Sequence, residues 1–557
     1  MRDDLLAIWR AGVDGVCTDR LICNNVRLLL PEDVRNIDRR DYSIEVGGVG
    51  GCEQYSFSGI DRIIVVGGGK ASGAMAESLL RVLSPVAGKV EISGWVNVPN
   101  DCAKSLGKIH LHAARPSGVN EPTLEAVYGT GEIMRIVGSL TRFDLCICLI
   151  SGGGSALLPA PVVGISLVDK CELVRFLGAA GATIREINTV RKVISRIKGG
   201  GLKRLCRGKR LISLILSDVL GDPLDVIASG VTVDSASTAI DALNVLKKFL
   251  CNGQNVLSQN ESLKRVFDYV EFRAKSMQSE LGGNNSSLQI DRATSKNMSK
   301  NMSNNTSNNT SKNASNNSAS NISDESNKFH VELLGDSLGE FSGGLKNNLA
   351  DNLTNDLSNN LPDKLFDVDG GFVRNIIIGN NALAVEAAGL EALRRGYRQT
   401  MFSAVVLEGF AEDVGYELVR LGLGMFGADV DCLVHGGEPV VKLVAQELRG
   451  DGGRNQQLIL AAACKLLSMY GDGQIPLAML AGSTDGEDGP TDAAGAWIDP
   501  VVWKVMNEKI KQDENFNPEH FLKRNDAYNF FKQLNTLIKT GITGTNVCDL
   551  RIVIRRP

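Results

Sequence analysis

Five histidines, four tryptophans and an aromatic content of 5% are little for a chain of 557 residues. The histidines, at positions 110, 112, 330, 435 and 520, show no metal-ligand spacing, so a transition-metal centre is not expected, and His435, at a strand end, reads as structural. Twelve scattered cysteines contain no C-x-x-C pair, which excludes a disulfide framework and fits a reducing compartment. No apolar run approaches the roughly 20 residues that span a bilayer. Blocks of like charge are missing too. With 60 basic and 64 acidic residues the formal net charge is -4, which argues against a nucleic-acid or anionic-membrane surface and points to a small-molecule partner. The amino terminus, MRDDLLAIWR, carries early acid and lacks the basic and apolar stretches of a secretory leader, so a cytoplasmic protein is expected, with an amphipathic helix from Asp4.

Glycine is abundant, at 60 residues, and clusters at particular places. The chain exceeds the roughly 250–300 residues at which a single core stops growing. Short β-branched runs end in glycine and polar residues and lead into helical stretches, the α/β rhythm. Arg62 to Val66 opens into Gly67-Gly68-Gly69-Lys70, Phe143 to Ile150 into Ser151-Gly152-Gly153-Gly154-Ser155, and Leu211 to Leu216 into Ser217-Asp218-Val219-Leu220-Gly221-Asp222. This pattern places a first domain at residues 1–250. Residues 275–370 collapse into Asn, Ser and Lys, which cannot bury enough apolar surface to order, and are expected as a disordered insertion. Its N-x-[ST] triplets follow from that composition. A second α/β domain is expected over 372–557, with strands at Arg374 to Ile378, Asp431 to Val434 and Pro476 to Leu480.

Ligands of open parallel sheets bind beyond the carboxyl ends of strands, where these Gly-rich loops lie. Tandem glycines can aim successive amides at an anion, so Gly67, Gly68, Gly69 and Ser151 to Ser155 are candidates for a phosphate cradle. The first loop is neither a P-loop, since Ala71 follows Lys70, nor a complete G-x-G-x-x-G, since Ser72 occupies the third glycine position. Arg191, Lys192, Arg196 and Lys198 are read on one helix ending at glycines. Asp218 or Asp222 could accept a proton or hold Mg2+. The loop bearing Asp485, Glu487, Asp488 and Asp492 could meet metal or substrate hydroxyls, and Arg454, at a Gly-rich helix start, suits bidentate recognition of carboxylate or phosphate.

Taken in order, VVGGGKASGAMAE, SGGGSALLPAP, INTVRKVISRIKGGGL, LILSDVLGDPLDVIASG, HGGEPVVKL, GGRNQQLILAAA, AGSTDGEDGPTDAAGAWID and TGITGTNVCDL resemble the glycerate kinase family that joins a glycerate-kinase amino-terminal domain to a MOFRL domain. The resemblance implies a Rossmann-like doubly wound first domain, a second α/β domain of MOFRL type and an active site in the cleft between them. It implies ATP and Mg2+ as cofactors, D-glycerate as acceptor, 2-phosphoglycerate favoured over 3-phosphoglycerate as product, and a monomer or homodimer. Matched motif by motif, Lys70, Asp218 and Arg454 become the catalytic residues. Gly67 to Gly69 and Ser151 to Ser155 become the nucleotide loops, and Arg191, Asp222, Glu438, Asn455, Asp485 and Asp488 the substrate side. The chain departs from the family pattern at Val231 in place of the proline of SGPT, at Gln457 after GGRNQ, at Ala527 after Asn525-Asp526, and at Arg115-Pro116 where a His-Pro is common. Two other readings stay open: an NAD(P)H-dependent hydroxypyruvate reductase, against which the incomplete G-x-G-x-x-G argues, and a non-catalytic ligand-binding relative.

Overall fold

The structure is a computed structural model, and it describes residues 1–30, 42–48, 51–117, 119, 121–251, 256–295, 372–406, 408–427 and 429–555. Three short antiparallel strands, β1 (Val26–Leu29), β2 (Ser43–Gly48) and β3 (Gly51–Ser56), form a small sheet. The main sheet follows, built from β4 (Arg62–Gly68), β5 (Glu91–Pro99), β6 (Ser105–Leu106), β7 (Ile109–Arg115), β8 (Asp144–Ile150), β9 (Arg210–Leu216) and β10 (Phe372–Gly379). Its order is β10-β9-β8-β4-β5-β7-β6, parallel except for the β6–β7 hairpin. Strands of parallel sheets are covered on both faces and therefore read as unbroken apolar runs. DLCICLI of β8 is buried at every position and RLISLIL of β9 at all but its first.

Read from β7, the parallel strands run in chain order 3-2-1-4-5-6, the doubly wound arrangement that reverses direction between its first and fourth strands. Here that switch point lies between β4 and β8. Their register pairs Arg62 with Asp144 through Gly68 with Ile150, so Gly67–Lys70 and Ser151–Ser155 emerge side by side.

The second sheet contains β11 (Gln399–Ser403), β12 (Cys432–Gly437), β13 (Leu477–Ser483), β14 (Gly495–Ile498), β15 (Leu537–Ile538) and β16 (Asp549–Arg555), in the order β11-β12-β16-β13-β14-β15. Only β11 and β12 pair in parallel. The fold is thus α/β in two layered units, as expected, but the chain crosses the expected boundaries at both ends. Residues 372–379, expected to open the second domain, complete the first sheet through β9. The amino-terminal helix Arg2–Gly15, expected in the first domain, packs on helix Asn381–Arg394 and the second sheet, with Trp9 Nε1 donating to Gly482 O at 3.1 Å. One apolar core runs through both units and fixes their loops against each other.

A separate apolar core joins helices Leu167–Ala179, Ile184–Val193, Ala239–Leu250 and Glu261–Ser295. Ser166 with Asp169, Thr183 with Glu186 and Thr238 with Asp241 form capping boxes that start three of them. The helix expected to carry Arg191 through Lys198 ends at Val193. Ser195 bridges to Pro161 instead, and Arg196 and Lys198 lie in the following turn. Residues 275–295 of the expected insertion continue a helix, and 296–370 fall outside the described residues. No helix among the described residues is long and apolar enough to cross a membrane.

Candidate active site

The two Gly-rich loops at the switch point differ in what they can offer. Gly69 N donates to Asn97 O (3.2 Å), Lys70 N to Gly152 O (2.8 Å) and Ala71 N to Ser151 Oγ (2.9 Å), so the first loop spends its amides internally. Its glycines answer to packing. A Cβ on Gly67 would lie 2.0 Å from Leu149 O, and one on Gly69 2.1 Å from Ser151 Oγ. The expected anion cradle of Gly67–Gly69 is therefore replaced by a turn locked onto β8, and Ser151 is the clamp. In the second loop Gly153 has φ 75°, and the amides of Gly152, Gly153 and Ser155 donate to no described group. These are free donors in a loop that starts inside the sheet and ends against the helical layer.

Lys70 projects from the first loop into the second unit, where its ammonium lies 2.9 Å from Asp485 Oδ2 and 3.1 Å from Glu487 Oε2. Burial opposes the charged form, but the two carboxylates outweigh it and hold the pKa of Lys70 above its ordinary value. Ser483 Oγ (2.6 Å) and Glu487 N (3.0 Å) donate to Asp485 Oδ1 and fix the acidic loop. Across the cleft, Arg454 starts helix Arg454–Tyr470. Its Nε and Nη2 donate to Asp549 at 2.7 and 3.0 Å, and its Nη1 to Glu438 at 2.7 Å.

Asp218 lies near Lys70 and Glu438, and Glu438 is in turn held by Arg454. Burial, then the charge of Glu438, pushes its carboxyl up to about 7. Asn546 Nδ2 donates to its Oδ2 at 3.4 Å, and Cys548 Sγ to its backbone oxygen at 2.9 Å. Gly152 packs directly on this group: a Cβ there would lie 2.2 Å from Asn546 Nδ2 and 2.3 Å from Asp218 Oδ2. Gly152→Ala is therefore expected to displace the carboxylate and lower kcat by about 10- to 100-fold. Steady-state kinetics beside a thermal melt would check that the loss exceeds any change in stability.

The structure thus brings together Lys70, Gly152, Asp218, Glu438, Arg454 and Asp485. It adds Glu487, expected to meet metal or hydroxyl and found on Lys70, and Asn546, Cys548 and Asp549, which sequence reasoning left without a role although the segment TGITGTNVCDL was singled out. Arg115 also reaches the cleft, its Nη2 lying 2.9 Å from a Cβ built on Gly153. Other candidates stand apart. Asp488 accepts from the amides of Asn455 (3.0 Å) and Gln456 (2.8 Å) and from the Asn455 side chain (3.3 Å), so it caps the Arg454 helix and both residues serve its start. Asp222 accepts from Asn380 Nδ2 at 2.5 Å, Asp492 pairs with Lys539 on the surface, and Arg191 contacts Asn188 within the helical layer. His435 sits against Arg551, paired in turn with Glu408, as a structural residue would. Of the departures, Gln457 holds Glu412 and Leu522 O, Val231 is buried beside Gly230, and Ala527 starts helix Ala527–Leu534. None of these three touches Lys70, Asp218 or Arg454.

No cluster of three metal-binding side chains exists among the described residues. A Mg2+ carried by nucleotide phosphates needs only one or two protein carboxylates. Glu438, whose charge acts on Asp218 and whose Oε1 is the oxygen held by Arg454, fits that need with its other oxygen, whereas Asp222 accepts from Asn380 apart from this cluster.

Two family models match the chain: Domain of unknown function (DUF4147) over residues 4–261 and MOFRL family over residues 431–549. The glycerate kinase of Homo sapiens is 30% identical over 99% of this chain and 96% of its own length. The D-glycerate 2-kinase of Thermotoga maritima is 30% identical over 88% of this chain and 90% of its own. Among solved structures, the crystal structure of a glycerate kinase from Thermotoga maritima superposes with a TM-score of 0.63 at 25% identity, covering 100% of this chain and 99% of that one. With the two family models in the expected order and this likeness over its whole length, the chain belongs to the glycerate kinase family.

Proposed function

We propose that the chain transfers the γ-phosphoryl group of ATP to the 2-hydroxyl of D-glycerate in the cleft between its two units, and that it does so in the cytoplasm. The observation that carries this reading is the placement of Asp218: a half-buried carboxyl whose pKa is raised to about 7, near Lys70 and Glu438 and packed against a loop with free amides. Asp218 accepts the proton of the attacking hydroxyl. A base poised near the working pH does this most effectively. Lys70 and Arg454 bind oxygens of the transferring group, because phosphoryl transfer needs positioning and charge neutralisation more than covalent help. Lys70 leaves Glu487, its more exposed partner, as the phosphoryl group arrives, and Asp485 keeps it in place. Mg2+ bound with the nucleotide supplies neutralisation of phosphate charge, and Glu438 is the residue that would hold it. The free state of all twelve cysteines supports a reducing compartment.

The test is coupled ADP release with MgATP and D-glycerate, with the phosphoglycerate product resolved by NMR and NADH plus hydroxypyruvate run in parallel. Glycerate-dependent release giving 2-phosphoglycerate is expected, and Lys70→Ala should cut kcat/KM by about 100- to 1,000-fold. Release at an unaltered rate in Lys70→Ala would remove that residue from the mechanism. NADH oxidation in place of release would establish the reductase.

A further inference from the structure

Three cations in the helical layer have no counterion. Lys170 and Lys198 are 2% and 1% exposed, and the Nε of Arg191 is buried without a hydrogen-bond partner. No described carboxylate pairs with any of the three. Asp169, next to Lys170, is taken by Arg265 at 2.6 Å, and Lys192, next to Arg191, pairs with Asp225 at 3.1 Å. Lys198 Nζ donates to the carbonyls of Ser155 (3.1 Å) and Ala228 (3.4 Å). Arg191 reaches Asn188, which accepts from Ser229, whose hydroxyl lies 2.8 Å from that of Ser155. Burial and mutual repulsion depress the ammonium groups, Lys170 to about 8 and Lys198 well below its ordinary value. An isolated buried charge is costly, and three of one sign are costlier, so this arrangement loses stability until an anion enters.

The backbone beside the cluster carries the same signature. Ala228 and Ser229 hold φ of 49° and 59°, left-handed values that non-glycine residues adopt at a cost of about 1–3 kcal/mol each and that concentrate at ligand clamps. The strain turns Ala228 O toward Lys198 and Ser229 Oγ toward Ser155.

We infer that Lys170, Arg191 and Lys198, with Ser155 and Ser229, form the pocket for the phosphates of the nucleotide donor that lie beyond the transferring group. The inference rests on the kinase reading above. Three positive charges suit a polyphosphate better than the single carboxylate of glycerate. The connecting loop has the right reach: Gly152 packs on Asp218, and Ser155, three residues on and so at most about 10 Å away, touches Lys198 and Ser229. The free amides of Gly152, Gly153 and Ser155 lie along that path.

Equilibrium titration of the full chain with ADP, pyrophosphate and D-glycerate, each alone, tests this in Lys170→Met and Arg191→Gln. Loss of a charged hydrogen-bonding partner should weaken ADP and pyrophosphate by about 10- to 100-fold and leave D-glycerate affinity within twofold. Without ligand, Lys170→Met should melt no lower than wild type while losing the thermal shift that ADP gives. If that variant fails to fold, Arg191→Gln decides. Weakened D-glycerate with unchanged ADP would make this the acceptor's pocket and overturn the inference. Unchanged ADP and pyrophosphate affinities in both variants, with a wild type that phosphorylates glycerate, would overturn it alone, whereas a wild type that neither binds ADP nor releases it would end the kinase reading and this inference together.

Discussion

Arg454→Ala should lower kcat/KM for glycerate by about 1,000-fold or more, the scale on which an arginine at a transferring phosphoryl group acts. The side chain has two functions in this fold. Its Nη1 edge and the Glu438 carboxylate face the cleft, and its other edge neutralises Asp549, which is fully buried. Breaking a buried pair typically costs 3–5 kcal/mol, and since the guanidinium itself is 30% exposed, about 3 kcal/mol is the expected loss of stability. Arg454→Lys separates the two contributions. It keeps a charge beside Asp549 but loses the planar fork, so most stability should return while most activity does not. Partial rescue of Arg454→Ala turnover by added guanidinium would confirm a role in the reaction itself. A variant with full activity would assign Arg454 to the fold alone.

Asp218→Asn should reduce kcat by about 100- to 10,000-fold while changing KM little, as loss of a general base does. The wild-type profile should rise with pH and level off above about 7, where the carboxyl is ionised, and the variant should lack that limb. Stability should move the other way. A carboxyl whose folded pKa is raised binds its proton more tightly in the native state, so the native state loses ground as pH rises from the unfolded value of about 4 to about 7. Asp218→Asn, which cannot ionise, should therefore melt higher than wild type at pH 8 and nearly with it below pH 4. A variant less stable at pH 8 would contradict the raised pKa of this carboxyl.

Much of this architecture is legible in the chain because parallel strands announce themselves. FDLCICLI and RLISLIL leave no polar face, which places them inside a sheet covered on both sides, and the glycines behind them mark the loop end. The loops' separate roles are not legible. Gly67-Gly68-Gly69 and Gly152-Gly153-Gly154 look alike as strings, and only the register of β4 against β8 shows that the first accommodates a neighbouring backbone and the second leaves amides free. Asp485 and Glu487 were read as ligands for metal or hydroxyl, but they hold Lys70, more than 400 residues away in sequence. Nothing local could announce that pair. Lys170 escaped notice for the same reason, since a lysine within LVDKCELVRFLGA reads as solvated until the packing of four helices encloses it.

The exchange of segments between the two units bears on how the protein is made. In chain order the first sheet lacks an edge until Phe372–Gly379, and helix Arg2–Gly15 meets its packing surface only with helix Asn381–Arg394 and then β13 and β16. Trp9 therefore waits for Gly482, 473 residues further along the chain, before its indole finds its partner. Contacts of such long sequence separation close late, so folding of the two units is expected to be coupled rather than sequential, which a refolding experiment with separate fluorescence probes in each unit would show as coincident phases.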